Sequence, residues 1–264
     1  MKIAVCIKQV PDTEARLRVA KDGRWLDEDD LKYRTNESDE HAIEEALKIA
    51  AATGGEVVVI TLGPDRAKEA LRKALALDAA RAVHLVDESF QNGDAAATAR
   101  ALAAVIEQEE VDLVITGSQS DDVGYGATAS MLAGRLGWPH AWLVMGLEVE
   151  EGGATAKVTR EMESGMNEIF RLQLPAVIEV QAGINHPRYP TLRGIMKAKR
   201  KPMSTPTPAD LGLDASEVGL AGSRLEIVDV AFPDTGAGAQ LLEGDAATAA
   251  AALVEKLQKE ARVL

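Results

Sequence analysis

Residues 111–128 read Val111-Asp112-Leu113-Val114-Ile115-Thr116-Gly117-Ser118-Gln119-Ser120-Asp121-Asp122-Val123-Gly124-Tyr125-Gly126-Ala127-Thr128. The first six form a short, largely apolar run closed by a turn, the pattern of a buried strand. Glycines and small polar residues follow, and 129–136 continue as a helix, so the stretch is strand, glycine-rich turn, helix: the core of a βα unit. Glycines let backbone approach a ligand, and the amides that open a helix, with the Thr128 hydroxyl, suit a phosphate. Asp121 or Asp122 would repel a phosphate but suits ribose hydroxyls. The plainer reading makes both carboxylates turn and capping groups. A divalent metal is the poorer reading, because two adjacent acids make a thin oxygen shell.

The same alternation extends outward. Residues 3–10, 56–62, 81–86 and 111–116 read as strands, and 39–52, 64–77 and 94–109 as helices, which predicts an α/β fold with an open, mostly parallel sheet and flanking helices. Ligands in such sheets sit beyond the carboxyl ends of the strands, near the point where strand order reverses. Segments 9–13, 61–65 and 117–128 each follow a strand end. In helix 39–52, Ala42, Ile43, Ala46, Leu47 and Ala50 form the stripe for the sheet, Glu44, Glu45 and Lys48 face out, and Asn36 or Ser38 caps the start. Runs at 142–149, 154–161, 168–174 and 175–180, separated by Gly152-Gly153 and Ser164-Gly165, predict a hairpin extension of the same domain. After Lys201 come Pro202, Pro206 and Pro208, a strand-like run at 225–230, a glycine joint at 236–238 and an amphipathic helix at 245–262 carrying Ala249, Leu253 and Leu257. The expected organisation is a domain at 1–201 and an arm at 202–264, docked on its own domain or on another subunit.

Composition narrows the functions. Of 264 residues, 46% are hydrophobic but only 3% aromatic, so Ala, Val, Leu and Ile must build the core and no stacking platform for single-stranded nucleic acid is expected. Forty-two Asp and Glu against 29 Lys and Arg leave a formal charge of -13. That field disfavours nucleic-acid and anionic-lipid partners, with Lys197-Ala198-Lys199-Arg200-Lys201 as a local basic exception. Cys6 stands alone in an apolar strand, which fits a reducing compartment. No stretch approaches the roughly 20 apolar residues of a membrane span, so no membrane insertion is expected and cytoplasmic residence is the simplest reading. Phosphate-loop, dinucleotide and zinc signatures are missing. His41 and His84 read as structural, His140 and His186 flank prolines, and no catalytic pair is assigned.

A second informative stretch runs from Ala182 to Lys201 and contains Asn185-His186-Pro187-Arg188-Tyr189-Pro190-Thr191-Leu192-Arg193-Gly194-Ile195-Met196-Lys197. Exposed, it would present Tyr189, Leu192, Ile195 and Met196 on a proline frame beside basic charge, a combination that anchors a partner by an apolar plug and steers it electrostatically. Folded inward, it is a buried helix turn with snorkelling lysines.

These stretches, with Val5-Cys6-Ile7-Lys8-Gln9-Val10-Pro11-Asp12, Ala42-Ile43-Glu44-Glu45-Ala46, Leu136-Gly137-Trp138-Pro139, Arg160-Glu161-Met162-Glu163 and Ile195-Met196-Lys197-Ala198-Lys199, resemble the β subunit of electron-transfer flavoproteins over essentially the whole chain. Ser164 departs from the family signature, which usually has Gly, Asp or Glu there. The resemblance implies a Rossmann-like, adenine-nucleotide-binding fold, and a heterodimer whose larger α subunit holds most of the FAD. It implies that this subunit buries AMP against Cys6, Asn36, Leu62, Asp122, Val123, Gly124, Tyr125, Gly126, Ala127 and Thr128, and lays its carboxyl-terminal arm over the partner. It makes 185–200 the recognition loop, with Leu192 as the plug, Lys197 beside it, and Tyr189, Ile195 and Met196 around them. Glu161 looks like the acid near the subunit interface and the flavin. Bifurcating relatives bind a second FAD where others bind AMP; their usual loop, Asp-Gly-Asp-Thr followed by Gln-Val-Gly-Pro, differs from 121–128 here, so AMP is favoured. The implied role is that of a carrier with no bond-making chemistry of its own, fed by acyl-CoA and other flavoprotein dehydrogenases and emptied by a membrane-linked quinone oxidoreductase. A stand-alone adenine-nucleotide sensor of similar topology is the alternative from a different class.

Overall fold

The computed structural model describes residues 1–233, 236 and 238–264; Asp234, Thr235 and Ala237, which fall in the expected arm and its glycine joint, lie outside the described residues. In chain order the elements are β1 (Lys2–Cys6), β2 (Gln9–Pro11), β3 (Tyr33–Thr35), α1 (Glu37–Thr53), β4 (Glu56–Leu62), α2 (Lys68–Ala76), β5 (Arg81–Leu85), α3 (Ala95–Glu109) and β6 (Leu113–Gly117). They continue with α4 (Thr128–Leu136), β7 (His140–Val149), β8 (Thr155–Glu161), β9 (Asn167–Gln173), β10 (Ala176–Val180), α5 (Leu192–Ala198), β11 (Met203–Ser204), α6 (Gly219–Gly222) and α7 (Ala246–Lys256).

Side chains alternate across the sheet strands, so each strand feeds two cores. Ile3, Val5, Val57, Val59, Leu113, Ile115 and Ile178 pack with Ala42, Ile43, Ala46 and Leu47 of α1 and with Leu71, Ala74 and Leu75 of α2. Ala4, Cys6, Val58, Ile60, Val114 and Val177 pack on the other face with Leu102 and Ile106 of α3 and Leu132 of α4. Each fully buried Val, Leu or Ile contributes about 1.5–3 kcal/mol. The nine strands lie in the order β11-β5-β4-β1-β6-β10-β7-β8-β9. They are parallel from β11 to β7 and antiparallel from β7 to β9. The chain builds outward from β1 through β4 and β5, then returns to lay β6 on the other side of β1; the order reverses there.

The fold class is as the sequence implied, and four details differ. The run 3–10 divides: β1 ends at Cys6, the Lys8 amide turns to the Asp39 carboxylate at 2.7 Å, and β2 pairs antiparallel with β3 in a small separate sheet. The run 175–180 is not a hairpin strand, because β10 lies buried between β6 and β7 and parallel to both. An apolar run of that length looks alike in either setting. Residues 202–222 continue the domain: β11 pairs with β5, and Leu211 and Val218 are buried with α3. Residues 225–230 form no strand, and Leu225, Ile227 and Val228 are exposed. Helix α7 spans most of the expected 245–262 helix and buries none of its residues.

Helix α5 lies against α2. A methyl group on Gly194 would overlap the Ala76 carbonyl, so glycine sets how closely the two helices approach. Lys201 closes the end of α2, its ammonium meeting the Leu75 carbonyl at 3.1 Å, the Ala79 carbonyl at 2.7 Å and Asp78 at 3.0 Å. One residue of the basic run is therefore a helix-terminal cap. Gly194→Ala is expected to lower unfolding stability by about 1–3 kcal/mol, because backbone faces the new methyl. Unchanged denaturant midpoints would contradict that packing.

Candidate functional site

The carboxyl ends of β1 and β6 meet at the reversal point, and the 117–128 turn rises from the second of them. Asp39, in the first turn of α1, ties the two ends together. Its carboxylate accepts the Lys8 amide at 2.7 Å and the Gly117 amide at 3.1 Å. A methyl on Gly117 would overlap both Ser38 Oγ and Asp39 Oδ1, so only glycine fits where the turn leaves the sheet. The turn is then fastened along its length. Asn36 Nδ2 and the Ser38 hydroxyl donate to the Gln119 carbonyl at 2.8 and 3.0 Å, and Asn36 Oδ1 accepts the Asp121 amide at 2.9 Å. Asn36 occupies the N-cap position but makes no side-chain cap bond, since its oxygen is spent on the turn. The Asp121 carboxylate instead reaches back to the Glu37 amide at 3.3 Å and pairs with Arg34 at 3.0 Å.

Asp122 pairs with Lys8 at 2.7 Å and accepts the Val123 amide at 2.8 Å. Burial pushes its pKa up, but Lys8, Ser120 and the Val123 amide outweigh this and hold the carboxyl below the usual aspartate range. Both carboxylates of the turn are therefore committed to protein partners, and so are the two cations beside them. A bound phosphate at this edge would meet backbone dipoles, not a free ammonium. Gly124 and Gly126 adopt left-handed φ of 62° and 56°, conformations that glycine takes without strain. Helix α4 begins after Ala127 with no side-chain cap. Its opening amides follow directly on the glycine turn, and with a hydroxyl residue, Thr128, as its first residue the helix start offers donors that fit an anionic ligand.

Cys6 closes β1 among the α3 and α4 core residues, with Leu62 packed against that core. Burial first, and then the nearby Asp39 carboxylate, pushes the thiol up to about 12, so it stays protonated. The structure thus brings Cys6, Asn36, Leu62 and 122–128 to one edge, with Tyr125 standing outward. Lys8, Arg34 and Asp39 belong to the same constellation and were not singled out in the sequence. Asp39 had a signal: it is an acid on the inward stripe of a helix, three residues before Ala42.

The 185–200 stretch lies elsewhere, across α1 and α2. Glu44 and Glu45, expected to face solvent, are buried, because this stretch covers them. Arg188 donates to Glu44 through Nε at 2.7 Å, Nη2 at 2.8 Å and its amide at 3.2 Å. Burial opposes ionisation of Glu44, but Arg188 outweighs it and holds the carboxyl below its ordinary range. Asn185 donates to Glu45 at 2.9 Å. The Thr191 hydroxyl caps α5 through the Gly194 amide at 3.1 Å. From this base Tyr189 stands 91% exposed, Leu192 82% and Met196 72%, with Ile195 and Lys197 also outward. Glu161 is apart from both regions: it ends β8 opposite Asn167, exposed, next to Arg160, which sits 5.0 Å over the Trp142 ring. His140 opens β7 and meets the buried Glu179 at 2.8 Å, while His84 Nε2 donates to the Gly63 carbonyl at 3.0 Å. Among the described residues no cluster fit for a metal ion occurs, and no helix is long and apolar enough to cross a membrane.

Asp39 carries a pH signature. Burial raises its carboxyl to about 7 against the lowering effect of its hydrogen bonds, whereas in the unfolded chain it titrates near about 4. Between those values the folded chain binds more protons than the unfolded one, so Asp39's contribution is full below about 4 and lost as pH rises through about 7. The stability of the wild type minus that of Asp39→Asn should fall across this window; a flat or rising difference would refute it.

Comparison with known proteins completes the description. A family model described as "Electron transfer flavoprotein domain" matches residues 24–211. The chain is 40% identical to the electron transfer flavoprotein subunit beta of Methylophilus methylotrophus, covering 97% of each chain. It is 37% identical to the corresponding subunit of Bradyrhizobium diazoefficiens and to the mitochondrial one of Oryza sativa subsp. indica, each over 100% of both chains. With the parallel sheet and its glycine turn in place, these end-to-end matches show that the chain belongs to the electron transfer flavoprotein family, as a beta subunit.

Proposed function

We propose that this chain works in a two-subunit electron carrier in which a larger alpha subunit holds most of the FAD and this subunit holds AMP beyond the carboxyl ends of β1 and β6. The observation that carries the reading is the coincidence of an end-to-end beta-subunit match with an uncapped, glycine-led helix at the sheet's reversal point. FAD supplies the redox chemistry when bound. The residues of this chain hold and orient. The amides of 123–128 and the Thr128 hydroxyl would take the AMP phosphate, Cys6 and Leu62 would floor the site, and Asn36 and Asp122 would keep the turn in shape through Gln119, Asp121 and Lys8. Glu161 would serve the flavin side of the subunit interface.

Electrons would come from acyl-CoA and other flavoprotein dehydrogenases and leave to a membrane-linked quinone oxidoreductase. Leu192 would enter a pocket of the donor, with Tyr189, Ile195, Met196 and Lys197 around it. Exposure of several large apolar side chains on a short helix whose base is bonded to α1 supports this assignment. The arm beyond 222 would lie on the alpha subunit, which accounts for α7 burying nothing in the isolated chain. Within the cell the complex is expected in the cytoplasm.

Co-expression with the alpha subunit should give a yellow complex containing one FAD and one AMP; a colourless, stable homodimer that binds ATP would overturn the reading. In that complex Leu192→Ala should slow dehydrogenase-driven flavin reduction by about tenfold or more, the scale of a lost interface anchor. FAD and AMP content should stay as in the wild type, and undiminished reduction would remove Leu192 from the docking surface.

A further inference from the structure

Helix α1 carries buried acids that face two different segments. Its first turn serves the glycine turn: Asp39 accepts the Gly117 amide, while Asn36 and Ser38 hold the Gln119 carbonyl. A little further along the same helix, Glu44 accepts three hydrogen bonds from Arg188 and Glu45 accepts one from Asn185. Asn185 also donates to the His41 carbonyl at 3.0 Å and meets His41 Nδ1 at 3.1 Å. At about 1.5 Å of rise per residue, Asp39 and Glu45 are separated by only about 9 Å along the helix axis. Ala42, Ile43, Ala46 and Leu47, on the same side as Asp39, fix α1 to the sheet, so its turns shift together. A buried carboxylate left without its partner is costly. Each segment is consequently constrained by α1, and α1 by both.

We propose that α1 couples the two surfaces: a nucleotide bound over the 117–128 turn steadies the first turn of the helix and, through Glu44 and Glu45, the docking segment that carries Leu192. Partner recognition is then conditional on nucleotide, and by reciprocity a docked partner tightens nucleotide binding. Glu44 and Arg188 are positioning residues in this scheme. The inference rests on the nucleotide and docking assignments above and adds the link between them.

Backbone hydrogen exchange on the complex with the alpha subunit, with AMP present and after its removal, tests the link. AMP should slow exchange at 117–128, at the first turn of α1 and at 192–198, the last by about fivefold or more. In Arg188→Ala the effect of AMP on 192–198 should vanish while that on 117–128 persists, and Arg188→Lys should restore part of it. Protection confined to 117–128 in the wild type would overturn the coupling and leave the nucleotide site standing. Faster exchange at 192–198 in Arg188→Ala with an undiminished AMP effect would also overturn it, reducing Arg188 to a structural contact. If AMP protected no segment, the nucleotide assignment itself would fall, and the coupling with it.

Discussion

One buried carboxylate organises the working edge of this protein. Asp39 is 5% exposed and receives two backbone amides, from Lys8 and Gly117, that would otherwise leave the sheet without acceptors. Unpaired buried amides are rarely tolerated. By taking both, Asp39 determines where β1 stops, where the glycine turn begins and how α1 sits over their junction. The neighbouring charges follow. With its amide held, Lys8 extends its side chain to Asp122, and Arg34, from the small second sheet, closes on Asp121. Both carboxylates of the turn are thereby ion-paired, within a chain that is strongly acidic.

Local features were legible in the sequence to the degree that their causes were local. The βα alternation, the glycines of the 117–128 turn and the helix after it are signalled by residues within a few positions of one another, and they lie close to where periodicity put them. Elements whose surroundings come from distant sequence were not legible. The run 175–180 becomes a central parallel strand only because β6 and β7 flank it. Glu44 and Glu45 look like solvent-facing helix residues, and their partners Asn185 and Arg188 are 140 or more positions away. Asp121 and Asp122 were legible as ribose ligands or as turn and capping groups but not as ion-paired ones, because Arg34 and Lys8, which occupy them, are 87 and 114 positions distant. The 185–200 stretch was the mixed case: its apolar residues were visible, but the sequence did not decide whether they faced in or out.

The structure decides it by the manner in which α5 is held. Gly194 brings its backbone close to α2, Lys201 closes α2 beneath it, and Arg188 secures the approach from α1. Apolar side chains raised on a base of this kind lose little conformational freedom on contact with a partner. The carboxyl-terminal stretch is built on the opposite principle. Past residue 222 it exposes Leu225, Val228, Phe232, Leu241 and Leu253, and α7 has no buried side of its own. One surface is held in place by the domain beneath it, whereas the other has no buried side in the chain itself.

The state of Cys6 has a consequence for chemical durability. Thiolates attack peroxide and disulfides, and thiolate character governs which cysteines oxidise. The only cysteine of the chain is enclosed by α3, α4 and the sheet, and its proton is retained far above neutral pH. The chain has in this way no ready thiolate to lose, and its oxidative ageing should fall first on exposed methionines such as Met166 and Met196.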